Sequence, residues 1–450
     1  MGARKRGTVF RDAVHGDVVL TPEEVRLLDT PDVQRLRGIR QLGTAYLVYP
    51  SAHHTRFEHS IGTLEMARRL IGAIEENAAR DPERCLAIPA EEARIVRLGA
   101  LLHDVTHIPF GHNIEDQTGL FERHDTPPRF ARALAPGTRL GEVLEDLGAR
   151  EAVLRVLLPV GHPDRGAAPP SWTEILADTI CADILDYLAR DAHFTGLHLS
   201  VDDRIVRHFR VDRASGHLYL DLAKRRLLRE DILSEIVRVL EARYYFSERV
   251  YYHHAKITAG ALLAKAAESA IASGEMREED FYETTDASLL DRLEEADARA
   301  RELIGRFRQR RLFKRACVYP VYANRAFQER VIPEFFAPGT FEARLAVENR
   351  IAERARADAG RDVLVSLYCP ARRMQLKEAK IHVLWPGEEV VRPLETYSDR
   401  VPRLRDLEDA YRNLWKCYVL ATPGDPAVLR AVQRAAAEVF PDATNVYDVE

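Results

Sequence analysis

Cysteine is scarce in this chain, and what there is lies scattered. Cys85, Cys181, Cys317, Cys369 and Cys417 are odd in number and show no CxxC spacing. That argues against a disulfide framework and against a zinc ribbon. It fits a reduced cytoplasm, where a lone cysteine is usually a small core residue. Long apolar runs are absent too, so no segment reaches the ~20 residues that span a bilayer. The start, Met1-Gly2-Ala3-Arg4-Lys5-Arg6, is charged but is not followed by an apolar stretch, so no signal peptide is expected. An excess of positive charge is also missing: 65 Lys and Arg against 70 Asp and Glu leave a net charge of −5. Nothing in that balance draws the chain to nucleic acid or to an anionic membrane, and any phosphate must be held by local clusters. There is no internal repeat and no low-complexity segment.

What is present is ordinary for a globular protein: 46% hydrophobic and 30% charged residues in a 450-residue chain, enough for about two or three domains. Residues 8–20 read as a short hairpin turning at Gly16. Thr21-Pro22-Glu23-Glu24 opens a helix, with Thr as N-cap, Pro at the first position and acids in the first turn. Helical spacing recurs over 57–76 (Phe57, Ile61, Leu64, Ala67, Leu70, Ile71, Ile74), over 91–105 and over 172–190. Residues 222–275 and 286–311 also carry helical patterns. Residues 362–368 and 381–384 alternate like strands. The expectation is a mainly α protein: a helical catalytic domain over 1–335, then a smaller α+β C-terminal region over 336–450.

Three segments stand out against this background: Arg56-Phe57-Glu58-His59, Leu101-Leu102-His103-Asp104 and Ala182-Asp183-Ile184-Leu185-Asp186-Tyr187. A lone His-Asp dipeptide says little. His59, the pair His103-Asp104 and Asp183, each inside a helical pattern, say more. Two imidazoles and two carboxylates suit a borderline-to-hard divalent ion and leave positions open for water and a phosphate oxygen. Metal-assisted phosphoester hydrolysis is the natural chemistry; manganese, iron, zinc and magnesium all suit the donors.

The order H…HD…D resembles that of the HD phosphohydrolase superfamily. The chain is most similar to its dNTP triphosphohydrolases, in particular the vertebrate kind, although without the sterile-alpha-motif domain joined to them. The likeness is carried by Asp29-Thr30-Pro31, Gln34-Arg35-Leu36-Arg37, Gln41-Leu42-Gly43, His54-Thr55-Arg56-Phe57-Glu58-His59-Ser60 and Asp186-Tyr187-Leu188-Ala189-Arg190-Asp191. It continues more loosely through Arg310 to Lys314 and Val365 to Cys369. It implies a helical HD core with His59, His103, Asp104 and Asp183 as metal ligands. It implies His107 and His112 on the substrate phosphate and in acid–base work, and His124 as catalytic histidine with Glu115 as its partner. Arg56 would hold phosphate, and Gln41 and Leu42 would lie against the sugar. Tyr187 would pack on the sugar and Asp191 would accept its 3′-hydroxyl. Arg243 would reach the distal phosphate. Tyr251, with Leu42, would wall off the 2′ position against ribonucleotides.

The same resemblance implies a guanine-nucleotide activator, GTP or dGTP, bound between the subunits of a homo-oligomer, dimer or tetramer. Asp29, Gln34 and Arg37 would read the base, and Arg310 and Lys314 would hold its phosphates. Three positions depart from the pattern. Ile184 stands where a phosphate-binding lysine follows the last metal ligand, Tyr252 stands where a glutamine follows the tyrosine, and the lysine near Thr8 is missing. The expected function is metal-dependent hydrolysis of a dNTP to deoxynucleoside and triphosphate. The alternatives are an HD phosphohydrolase of a nucleoside monophosphate or signalling nucleotide, and a nucleotide or nucleic-acid sensor with a vestigial site.

Overall fold

The computed structural model describes residues 7–118, 120–199, 201–337, 339–370 and 380–449. The chain starts as the expected hairpin: Thr8–Asp12 pairs antiparallel with Gly16–Leu20. The next helix, Pro22–Leu28, begins with a reciprocal cap. Thr21 Oγ1 accepts from the Glu24 N–H, and the Glu24 carboxylate accepts from the Thr21 N–H at 2.7 Å. The spine of the molecule is the helix Arg56–Arg80. Its periodic Phe57, Ile61, Leu64, Ala67, Leu70, Ile71 and Ile74 are all buried, against the helices Ala90–Leu102 and Ala182–Thr195. Gly62 permits the closest approach. A Cβ there would run into the side chains of Asp186 and Arg190 on the facing helix, so any larger residue would displace that buried ion pair.

Two expected helices are shorter than their patterns. The 91–105 pattern ends as the helix Ala90–Leu102, with His103 as its C-cap. His107 is therefore reached by a turn and does not share a helix face with His103. The 172–190 pattern breaks into Pro170–Glu174 and Ala182–Thr195. In between, the chain folds back so that the Ala182 N–H donates to Ile175 O at 2.8 Å. An extended Cys181 restarts the helix and places Asp183 in its first turn. Periodicity continued across the break because both pieces bury apolar residues against one core.

Asp178 lies in that break. Its Oδ1 accepts from the Thr179 N–H at 2.6 Å, while its buried Oδ2 has no partner among the described residues. Burial, aided by the nearby Glu174 charge, raises its carboxyl to about 7. A carboxyl raised in the folded state contributes stability that is full below its unfolded pKa and lost as pH rises through the folded one. Asp178→Asn should therefore raise Tm at about pH 8 and leave it unchanged near pH 4, checked by thermal melts across that range.

Beyond the helices, Lys314–Pro320, Lys416–Thr422 and Leu364–Tyr368 form an antiparallel sheet with Lys416–Thr422 in the middle. The helices Phe341–Ala359 and Pro426–Val439 pack with it around a separate apolar core. The strand His382–Leu384 does not join this sheet. It runs parallel to Leu218–Asp221, and Ile381 and Val383 belong to the same core as Leu64 and Leu188. All five cysteines are free and buried. No helix among the described residues is long and apolar enough to cross a membrane.

Candidate active site

His59 sits in the first turn of Arg56–Arg80 and is buried. Its Nδ1–H donates to Asp186 Oδ2 at 2.7 Å, which turns the bare Nε2 into the site. The His103 Nδ1–H donates to Ala100 O at 2.8 Å, and a carbonyl can only accept, so Nε2 is the bare nitrogen here too. The two Nε2 atoms are 3.1 Å apart. Asp183 Oδ1 lies 3.0 Å from the first and 3.8 Å from the second. Asp104 offers Oδ2 at 3.9 Å to His59 and Oδ1 at 3.6 Å to His103. Imidazole lone pairs this close repel unless a proton or a metal cation lies among them. The donor set and its outer hydrogen bonds therefore fit a divalent metal ion. Burial opposes protonation of His59, but Asp183 and Asp186 outweigh it and raise the imidazole to about 10. Proton and metal compete for the same Nε2. Burial also opposes the Asp104 charge, yet the Arg56 guanidinium at 2.5 Å, with His107 and His103, holds its carboxyl well below the usual range.

Three further imidazoles adjoin this group. The rings of His107 and His124 stack at 3.4 Å, and His112 stands edge-on to both, at 5.3 and 5.1 Å. His107 Nε2 is 3.3 Å from Asp104 Oδ1, and His124 Nδ1 is 3.3 Å from Glu115 Oε2. Burial, then Arg56 and His124, holds His107 well below its usual pKa, so it is neutral near pH 7. Burial, then His124 and Arg123, acts the same way on His112, tempered by solvent because its side chain is 42% exposed. Gly111 keeps the approach open: with φ at +43°, a Cβ there would stand 2.9 Å from Arg56 Nη2 and 3.1 Å from His107 Nδ1.

The residues expected to hold the sugar meet on the other side. Asp191 accepts from His54 Nε2 at 2.8 Å and from the Tyr251 hydroxyl at 2.7 Å. Tyr187 lies edge-on to Tyr251 at 6.3 Å. Leu42 is buried, and Gln41 Oε1 is buried without a hydrogen-bond partner among the described residues. Arg243 donates to Thr179 O at 3.2 Å. Ile184 is buried, in the same apolar core as Leu185 and Leu188.

The expected activator residues fall into two groups. Gln34 donates to Leu28 O, and Arg37 donates to Gln34 Oε1 at 2.9 Å while stacking 3.5 Å over the Phe57 ring. Asp29 is exposed beside them. Arg310 donates to Leu47 O at 3.2 Å, and Lys314 is exposed at the start of its strand. Among the described residues no hydrogen bond or ion pair joins the two groups.

Several residues of the site had not been singled out. Asp186 accepts from His59, from His15 Nε2 at 2.6 Å and from Arg190 at 2.9 Å. Arg190 also holds Asp12 at 2.9 Å. The i,i+4 spacing of Asp186 and Arg190 was a signal for their pairing. Nothing in the sequence announced that the N-terminal hairpin brings Asp12 and His15 to Asp186 and Arg190, behind His59. A separate group of Glu174, His217 and His382 also clusters, but the two rings stack 4.1 Å apart and nearly parallel, so their lone pairs do not converge.

The HD domain matches residues 56–191, and the HD associated region matches residues 210–444, more than half of the chain. The chain belongs to the HD-domain family. Its HD site is that of a metal-dependent phosphohydrolase. Uncharacterized protein MJ1154 of Methanocaldococcus jannaschii is 26% identical over 92% of this HD protein and 79% of its own length. The deoxynucleoside triphosphate triphosphohydrolase SAMHD1 of Gallus gallus is 31% identical over 54% of this chain and 42% of its own length. Uncharacterized protein YwfO of Bacillus subtilis is 30% identical over 57% of this chain and 54% of its own. The HD chain thus spans less than half the length of that SAMHD1. The crystal structure of a hypothetical protein from Aquifex aeolicus shares the fold, with a TM-score of 0.67 over 96% of this chain and all of that one, at 23% identity.

Proposed function

We propose that this HD protein hydrolyses deoxynucleoside triphosphates, releasing deoxynucleoside and triphosphate. The observation that carries the reading is that Asp183, Tyr187 and Asp191 share the helix Ala182–Thr195, so the HD donor group continues into the Tyr187, Tyr251 and Asp191 cluster that suits a deoxyribose. His59, His103, Asp104 and Asp183 would hold the divalent ion, which supplies charge neutralisation at the phosphate and an activated water. Arg56 holds Asp104 anionic and presents its other guanidinium edge to phosphate. His107 and His112, neutral near pH 7, donate hydrogen bonds to phosphate oxygens. His124, oriented by Glu115, carries the proton that the leaving sugar oxygen needs. Asp191, already held by His54 and Tyr251, has lone pairs left for a 3′-hydroxyl. Arg243 and Gln41 complete the grip on phosphate tail and sugar.

A guanine nucleotide activator, GTP or dGTP, is part of the proposal. Asp29, Gln34 and Arg37 form one surface group, and Arg310 and Lys314 another. A site built from both is most simply completed between subunits of a dimer or tetramer. A second reading, hydrolysis of a nucleoside monophosphate or a signalling nucleotide, is favoured by Ile184, which puts no cation beside the phosphate tail.

The test is metal-supplemented turnover of a dNTP and NTP panel with chromatographic identification of products. The expected result is deoxynucleoside plus tripolyphosphate from dNTPs, slower turnover of NTPs, and a rate raised by GTP in the wild type but not in Asp29→Ala. Faster turnover of monophosphates than of triphosphates would replace this reading with the second.

A further inference from the structure

Lys256 has no part in the roles above, yet it lies against Tyr251, and its carbonyl accepts from Asn113, the neighbour of His112. It lies in the first turn of the helix His254–Ala272, and only 8% of its surface is exposed. Its backbone carbonyl accepts from Thr44 Oγ1 at 3.1 Å, which ties this turn to the segment carrying Gln41 and Leu42. Its ammonium lies 5.6 Å above the ring of Tyr251. The charges that act on it are Asp191 at the sugar end, and Asp116 and Arg56 at the end where the histidines and metal ligands gather. Among the described residues no carboxylate stands within ion-pair distance of it.

The same helix shows how a buried lysine is otherwise accommodated. Lys265 is also 8% exposed, and it is bound to Glu268 at 2.6 Å and to Glu348. A buried ammonium without a partner is costly, and the cost is removed if an anion arrives with the ligand. Arg56 is a second cation near enough to repel the ammonium, so an anion reached by both would be drawn by both charges. We propose that Lys256 binds the phosphate chain of the substrate, supplying from the His254–Ala272 helix the cation that Ile184 does not. This rests on the phosphate-bearing substrate proposed above. Burial lowers the amine to about 8, with Arg56 acting in the same direction, so a bound phosphate would hold it charged.

The experiment uses the full metal-loaded chain with inorganic tripolyphosphate as the probe. Wild type, Lys256→Met and Lys256→Arg are compared for tripolyphosphate affinity, dNTP KM, inhibition by free deoxynucleoside, and metal content. Lys256→Met is expected to weaken tripolyphosphate binding and raise KM by about tenfold or more, the range for one charge-assisted contact. Deoxynucleoside inhibition and metal content should stay unchanged, and Lys256→Arg should recover part of the loss. Equal tripolyphosphate affinity in wild type and Lys256→Met overturns the inference. If the methionine variant does not fold, reductive methylation of the wild type decides. Tripolyphosphate should slow modification at Lys256 but not at exposed Lys224, and absence of protection overturns the inference. A wild type that binds tripolyphosphate through Lys256 but turns over no dNTP sinks the substrate reading and leaves this inference standing.

Discussion

Asp104→Ala should abolish hydrolysis and strip the divalent metal from the purified protein. Asp104 faces both bare imidazole nitrogens, and it is also the counter-charge of Arg56, whose guanidinium lies 2.5 Å away and is buried. Removing it takes one donor from the metal and leaves an unpaired buried cation beside the place where a second cation must bind. The two losses act in the same direction. The variant should show metal content near zero by elemental analysis and no turnover above background, even with excess metal. His103→Ala should do the same by removing one Nε2 while leaving Arg56 paired. Full turnover with metal retained in either variant would sink the HD-site reading.

The second large effect is on stability. Arg190→Met should destabilise the fold by about 3–5 kcal/mol, the usual consequence of removing one partner from a buried ion pair. Arg190 is fully buried and is held by Asp186 and by Asp12, both buried as well. The variant takes the arginine from both carboxylates, leaving Asp186 only His15 and His59 and Asp12 only backbone N–H groups, and Asp186 is the group that orients His59. Urea unfolding should show the lost stability as a lower midpoint with an unchanged slope. A midpoint equal to that of the wild type would mean that the network rearranges at little cost. The milder Asp186→Asn keeps the shape but weakens the hold on His59 Nδ1, and metal affinity should fall by about 10–100-fold, as for other groups that orient metal-bound histidines.

Much of the candidate site is legible in the sequence. His59, His103, Asp104 and Asp183 carry a chemistry that few other residue sets offer. The long apolar repeat around His59 fixed the helix Arg56–Arg80, because an amphipathic stripe of that length has few other ways to bury itself. The hairpin at Gly16 and the cap at Thr21 are local and were legible for that reason. Harder to read was the break between Pro170–Glu174 and Ala182–Thr195, where both pieces share one apolar face. The partner of His382–Leu384 could not be read either, since alternation states that a strand is half-buried and not which strand it joins.

The sequence by itself determined the candidate donor residues, the helical class and the local caps, because these depend on residue chemistry and on spacings of a few positions. Only the tertiary structure decided that Asp12 and His15 stand behind His59, that Ile184 is buried in the apolar core, and that Lys256 lies over the Tyr251 ring with no carboxylate beside it among the described residues. Those outcomes depend on contacts between segments far apart in the chain. Their geometry is set by how whole helices pack, and no short pattern records it.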